Sequence, residues 1–258
     1  MEDRESQNLI VAITAGAGGI GLEIARHLHH NGAKLALCDI DSEALDAAKI
    51  EFPDALLMHL DVSDETSVKS FFANIQSKYG RLDALINNAG IAGPTGGVDE
   101  ITSDEFRRCL EIGLVGQFNC AHHAVPILKS SGGGSIICMA SVAGKYGYAY
   151  RSPYCATKFG VIGLSQSLAK ELGPHNIRVN AILPGFVEGP RMTKVIEDRA
   201  KQDGVPFEQM QETYLQNVSL RTMVTAQDVA AMVGFLVSAA GKNISGQSIA
   251  VDGNVETL

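Results

Sequence analysis

The feature that most restricts the fold is a rhythm of short, wholly apolar runs separated by amphipathic stretches, repeated almost to the end of the chain. Residues 9–13 form the first run, followed by an amphipathic stretch over 19–30. Residues 34–38 form the next, followed by 42–52, where Pro53 ends the helix. Further apolar runs lie at 55–60, 84–86, 135–139, 178–182 and 248–251, with helical patterns near 64–79, 103–128, 153–172 and 226–239. Strands without polar alternation are buried on both faces, and strands that alternate with helices pair in parallel. Right-handed crossovers then give an α/β fold, a doubly wound parallel sheet with helices on both faces. Ligands of such sheets bind beyond the carboxyl ends of the strands, so that is where chemistry is expected.

Composition narrows the class. A chain of 258 residues, 45% hydrophobic and 19% charged, suits one compact domain, residues 1–258. Stretches rich in Gly, Pro or Ser are short and read as turns, with no linker among them. The net charge is −8 and Lys and Arg are not clustered, which argues against a nucleic-acid or anionic-membrane surface. It leaves room for an anionic small substrate, because one local Arg can hold a carboxylate. Cys38, Cys109, Cys120, Cys138 and Cys155 are scattered, odd in number and without a CxxC pair, as expected of small buried hydrophobes in a reducing cytosol. The start Met1-Glu2-Asp3-Arg4-Glu5 lacks the order of a signal peptide, and no apolar run nears the ~20 residues that span a bilayer. A soluble cytoplasmic protein is the expectation. Residues 190–220 break the rhythm: long, polar and partly helical, they read as a substrate lid or as a plain pair of surface helices.

Between the first strand and helix stands Thr14-Ala15-Gly16-Ala17-Gly18-Gly19-Ile20-Gly21. Small residues there let backbone N–H groups and the positive end of a helix approach a pyrophosphate. The second strand ends at Asp39, followed by Ile40 and Asp41. Asp39 lies 18 residues after Gly21, where an acidic residue meets an adenosine ribose diol and repels a 2′-phosphate. With no Arg or Lys directly after it, NAD is expected over NADP. Asp39 need not cap the following helix, because Ser42 can do so. Asp61 and Val62 follow the third strand, and Asn87-Asn88-Ala89-Gly90 the fourth. Asp61 can accept from an adenine amino group and Asn88 can fix the backbone under a cofactor, though both residue types also form ordinary turns.

Ser141 follows the fifth strand, and Tyr154-Cys155-Ala156-Thr157-Lys158 opens the next helix. Four residues apart, Tyr154 and Lys158 share a helical face. An ammonium beside a phenol favours the phenolate, drawing it towards the range of a general base. Ser141 can bond the same reacting oxygen.

Together these residues resemble the classical short-chain dehydrogenase/reductase family, from about Leu9 to Gly253. The resemblance is carried by the glycine turn, Asn87-Asn88-Ala89-Gly90, and Ser141 thirteen residues before Tyr154-x-x-x-Lys158. Pro184-Gly185 and Ser245-Gly246-Gln247 leading to Asp252-Gly253 extend it. It implies a Rossmann-like fold, hydride transfer at a nicotinamide, Tyr154 as acid/base, Lys158 holding the ribose and tuning Tyr154, and Ser141 orienting substrate. It also implies cofactor contacts from Ala15, Gly16, Gly19, Ile20, Gly21, Asp39, Ile40, Asp61, Val62, Asn88, Ala89, Gly90, Tyr154, Lys158, Pro184, Gly185 and Val187, and a homo-oligomer, tetramer or dimer. Three positions depart from the family pattern. Ala15 replaces a turn glycine, tolerable where its φ is negative. Gly113 replaces an Asn that helps a water-mediated proton path from the lysine, so water or helix backbone must substitute. Gly189 replaces a Thr near the nicotinamide amide.

The reaction is more legible than its substrate. Lys145, Tyr146, Tyr148, Tyr150 and Arg151 lie between Ser141 and Tyr154; Arg191 and Met192 begin the lid, and Tyr214 can close it. Each Arg alone can be a solvated side chain or half of an inter-subunit pair. Two near the site point to a polar or anionic alcohol or ketone, a hydroxy acid or sugar acid. An aliphatic or cyclic alcohol is the alternative, and an NAD-retaining epimerase or dehydratase, or a non-catalytic nucleotide sensor, are the other classes. His29-His30 and His122-His123 are expected to bind no metal, because adjacent helical residues diverge and no carboxylate or Cys cluster completes a ligand set.

Overall fold

The computed structural model describes residues 8–257, so the pentapeptide read for targeting lies outside the described residues. Seven strands form one sheet in the order β3-β2-β1-β4-β5-β6-β7. They are β1 (Ile10–Thr14), β2 (Lys34–Asp39), β3 (Leu56–His59), β4 (Ala84–Asn87), β5 (Gly134–Met139), β6 (Ile177–Pro184) and β7 (Ser248–Val251), and every pairing is parallel. The helices are α1 (Gly19–His30), α2 (Ser42–Glu51), α3 (Glu65–Tyr79), α4 (Ser103–Leu110), α5 (Gly116–Ser130), α6 (Ser152–Leu172), α7 (Pro190–Asp203), α8 (Phe207–Gln216) and α9 (Ala226–Val237). The fold is Rossmann-like, as the strand rhythm implies.

The absence of polar alternation has a direct cause. In β1, Ile10 and Ala12 enter a core shared with Phe71, Phe72, Leu128 and Val161. Val11 and Ile13 enter the opposite core with Ile24, Leu28, Val229 and Val233. In β5, Ile136 and Cys138 divide from Ile137 and Met139 in the same way. Both faces of the central strands exclude water, so both sets of their side chains are apolar, whereas the edge strands β3 and β7 are partly exposed. All five cysteines are buried and unbonded.

Strand order reverses between β1 and β4. Loops leaving the two strands diverge there and open a crevice above the carboxyl edge. Three local features differ from the sequence expectation. The cap of α2 is Asp41, whose side chain accepts from Ala44 N, while Ser42 is already helical. The expected helix over 103–128 is interrupted by a π turn over Glu111–Val115, where Gly113 is buried. A Cβ on Gly113 would stand 2.5 Å from Thr157 Cγ2, and one on Gly116 2.6 Å from Val62 Cγ2. Two bare glycines therefore let this helix press against α6 and the loop after β3, and the widened turn re-aims it. Residues 190–220 fold as α7 and α8, joined at Gly204 (φ 68°), over a separate cluster of Ile196, Ala200, Met210, Tyr214 and Val218. Among the described residues no helix is long and apolar enough to cross a membrane.

Candidate active site

The turn after β1 is built without slack. Thr14 Oγ1 accepts from the N–H groups of Asn88 and Ala89, both at 2.9 Å, and Asn88 Nδ2 donates to the carbonyls of Thr14 and Ala15 at 3.1 Å. A Cβ on Gly21 would lie 2.0 Å from Ala15 O, so only glycine lets α1 start so close to the turn. Ala15 has φ 48°. The expectation of a negative φ is thus corrected: its methyl sits in the left-handed region at a strain of about 1–2 kcal/mol, and the Asn88 bonds hold it there. The N-cap of α1 is Gly18, which offers no side-chain cap, and the first turn holds no acidic residue. Space above Gly18 and Gly19 is open. The first N–H groups of α1 are therefore free for an anion.

Asp39 ends β2 on the same crevice. It is 9% exposed, its carboxylate accepts from Ala17 N (3.0 Å) and Asp41 N (3.2 Å), and among the described residues no cation pairs with it. Asp61 is held differently: Arg108 donates to it at 2.7 Å and Ser63 bonds its other oxygen. Burial opposes its charge, but Arg108 and Ser63 outweigh burial and keep the carboxyl below its usual range.

Tyr154 stands in the first turn of α6, after Pro153, whose fixed φ suits a helix start. Lys158, one turn on, presents Nζ 5.6 Å from the Tyr154 ring centre and donates to Met139 O at 2.8 Å. Ser141 follows β5, and its Oγ accepts from Ala143 N. Burial alone would raise the Tyr154 pKa. Lys158, Arg191, the Ser141 hydroxyl and Arg151 together outweigh it and hold the phenol below its ordinary value. Burial pushes the Lys158 ammonium below its own ordinary value. The sheet edge thus brings together a phenol poised to lose its proton, a buried ammonium and a hydroxyl, which can pass a proton to or from an oxygen held between Ser141 and Tyr154.

One cavity of about 810 Å³ joins these groups. Its wall carries Ala15, Gly19, Ile20, Asp39 and Asn88 together with Gly90, Ser141, Tyr154, Lys158, Pro184, Gly185 and Val187. Gly16, Gly21, Ile40, Asp61, Val62 and Ala89 are not on that wall; Gly16, Gly21 and Ala89 lie behind it, in the packing of the turn. Of the expected substrate residues, Tyr148, Arg151, Arg191 and Met192 line the cavity, while Lys145, Tyr146 and Tyr150 do not. Tyr150 instead lies under Arg199, 4.6 Å from its ring centre. Tyr214 stays off the wall but meets the Tyr148 hydroxyl with its own. Val142, Phe186, Glu188, Val195 and the start of α9 at Thr225–Gln227 also line the cavity and escaped the sequence reading. The local signal at that point, a Thr225/Asp228 capping box, marks a helix rather than a site.

A family model described as Enoyl-(Acyl carrier protein) reductase matches residues 15–255. The chain belongs to the short-chain dehydrogenase/reductase family. It is an oxidoreductase acting on CH–OH groups. This dehydrogenase/reductase is 35% identical over 263 residues to trans-4-hydroxycyclohexanecarboxylate dehydrogenase of Sinomonas cyclohexanicum, covering 98% of this chain and 94% of that one. It is 35% identical over 226 residues to 2-dehydro-3-deoxy-L-rhamnonate dehydrogenase (NAD(+)) of Sphingomonas sp. (strain SKA58), covering 88% and 86%. The crystal structure of NAD+-bound xylitol dehydrogenase superposes with a TM-score of 0.92 at 27% identity, over 96% of this chain and 99% of that one.

Within this dehydrogenase/reductase, Gly113 is a packing requirement rather than a vacancy for the usual Asn. Thr157, which its Cβ would strike, is buried and donates to Pro153 O at 2.8 Å, next to Lys158. Gly113→Asn is therefore expected to lower stability by about 1–3 kcal/mol and to reduce activity rather than raise it. A thermal melt with steady-state rates checks this; an unchanged Tm with faster turnover would show that an Asn relay fits. The histidine pair also differs from expectation, because folding supplies a carboxylate. Glu65 Oε1 lies 3.4 Å from His123 Nε2, and the ligand atoms of Glu65, His122 and His123 all fall within 4.8 Å of one another, on the surface and off the cavity wall.

Proposed function

We propose that the enzyme interconverts a secondary alcohol and a ketone with NAD, Tyr154 acting as general acid/base on a small substrate that carries a carboxylate. The supporting observation is the continuity of the cavity from Asp39 to the Ser141–Tyr154–Lys158 cluster.

NAD is the cofactor. The uncapped start of α1 and the open space over Gly18 and Gly19 suit a diphosphate, and the buried, unpaired carboxylate of Asp39 suits a ribose diol. Lys158 would hold the nicotinamide ribose. When bound, the nicotinamide supplies the hydride acceptor for alcohol oxidation or the donor for ketone reduction. Ser141 donates to the substrate oxygen and orients it. Tyr154, as phenolate, takes the hydroxyl proton during oxidation and returns it during reduction. Lys158 favours that phenolate by its charge. The pair α7 and α8 serves as the substrate lid, closing the far end of the cavity with Arg191, Met192 and Val195. Exposed Val115, Phe118 and Phe159, beside and on α5 and α6, support a homo-oligomer.

Arg191 supports the carboxylate. It is exposed, lines the cavity 5.9 Å from the Tyr154 ring centre, and has no acidic partner among the described residues. Two relatives of known name act on a hydroxycyclohexanecarboxylate and a deoxyrhamnonate. A neutral cyclic or aliphatic alcohol is the second reading, favoured by Val142, Phe186 and Met192 on the same wall. A matched pair separates them: trans-4-hydroxycyclohexanecarboxylate against 4-methylcyclohexanol. The carboxylate is expected to have the lower KM, and Arg191→Met to raise that KM about 10- to 100-fold, the worth of one charged hydrogen bond, with little change for the neutral ring. Equal KM values for the pair would favour the neutral substrate.

A further inference from the structure

Arg151 is only 4% exposed, yet it forms no ion pair among the described residues. Its Nη2 donates to Ala92 O at 2.8 Å and its Nη1 to Thr95 Oγ1 at 3.3 Å, while Nε is buried without an acceptor. The guanidinium carbon lies 5.1 Å from the centre of the Tyr154 ring and 5.7 Å from that of Tyr148. The same segments are joined once more where Gly96 N donates to Tyr150 O. Burying a cation away from every carboxylate is costly, so an anion that forms during turnover is the natural compensation. Two anions can arise nearby, a Tyr154 phenolate and a substrate carboxylate. Two of the five guanidinium N–H groups are engaged by the 92–95 loop, which fixes the side chain, and the guanidinium lies over the two tyrosine rings.

We propose that Arg151 is a positioning residue for proton transfer, tying the Tyr154 ring to the 92–95 loop and keeping compensating charge beside the phenolate. The inference rests on Tyr154 being the acid/base. The other groups facing Tyr154 are Lys158, Arg191 and Ser141, and those facing Arg151 are Tyr148, Arg191, Cys155 and Cys109; none is a carboxylate. Removing Arg151 therefore withdraws positive charge with no acidic group to take up the difference.

The test measures tyrosinate absorbance against pH in substrate-free Arg151→Met, Arg151→Lys and wild-type protein, with Tyr154→Phe in each background to isolate one phenol. Steady-state pH profiles and NADH binding accompany it. In Arg151→Met the Tyr154 component is expected to titrate measurably higher than in wild type. The acid limb of kcat should move with it and neutral-pH kcat should fall about 10- to 100-fold at near-normal NADH affinity. Arg151→Lys keeps the charge but cannot span both acceptors, so its kcat should fall while its titration stays near wild type. This arm also carries the test if the Met variant does not fold. An unmoved Tyr154 titration in Arg151→Met, wild-type kcat in Arg151→Lys, or a rise in KM confined to carboxylate substrates would overturn the proposal. A wild-type enzyme silent on every alcohol, whose Tyr154 still shifts in Arg151→Met, would instead overturn the proposed reaction and leave the Arg151–Tyr154 coupling standing.

Discussion

Tyr154→Phe is expected to lower kcat by about 10³-fold or more, towards the upper end of what a positioned acid/base contributes, while NADH binding and thermal stability stay near wild type. Phenylalanine keeps the ring that packs near Arg151, Lys158 and Arg191 and removes only the hydroxyl. Stopped activity with intact NADH fluorescence binding would therefore locate the defect in proton transfer. More than about a tenth of wild-type turnover would remove Tyr154 from that role. The pH dependence has a defined sign. The folded site holds the Tyr154 phenol below its ordinary value, so alcohol oxidation, which needs the phenolate, rises with pH through that depressed pKa. Ketone reduction, which needs the phenol, falls over the same interval.

Asp39→Asn is expected to raise the KM for NAD about 10- to 100-fold and to admit NADP, because a carboxylate at that position would repel a 2′-phosphate. The range corresponds to about 1.5–3 kcal/mol for hydrogen bonds to a charged group. Asparagine retains one acceptor oxygen for the bonds from Ala17 N and Asp41 N, so one of the two is lost along with the charge, and a thermal melt beside the kinetics separates the two effects. Initial rates with each cofactor decide it. An unchanged ratio of NAD to NADP use would mean that Asp39 only braces the turn.

The layers and the nucleotide end of the site were legible because they depend on local pattern. Wholly apolar strands have one arrangement open to them in an alternating chain, and the glycine turn, Asp39 and Asn88 sit at fixed offsets from strands that the pattern locates. What escaped depends on long-range packing. The π turn at Glu111–Val115 was invisible because apolar spacing continues through it, and its cause, Thr157 against Gly113, lies on another helix. Ala15 gives no hint of its positive φ until Asn88, 73 residues away, is seen bonding its carbonyl. Arg151 reads in sequence as a candidate substrate residue, or else a solvated or inter-subunit arginine; its burial was not legible because it depends on the loop carrying Ala92 and Thr95, which it bonds across the fold. Glu65 joins His123 only when α3 and α5 pack together. Phe186 and Thr225–Gln227 reach the cavity from the ends of elements whose patterns speak only of packing.

The most direct test of the central claim is the yield of NADH when wild-type enzyme and excess NAD meet a panel of secondary alcohols: hydroxy acids, sugar acids and neutral cyclic alcohols. The expected result is net NADH, one per alcohol oxidised, formed fastest at limiting concentration from members that carry a carboxylate. Substrate conversion without net NADH would contradict it and point to an epimerase that regenerates its cofactor.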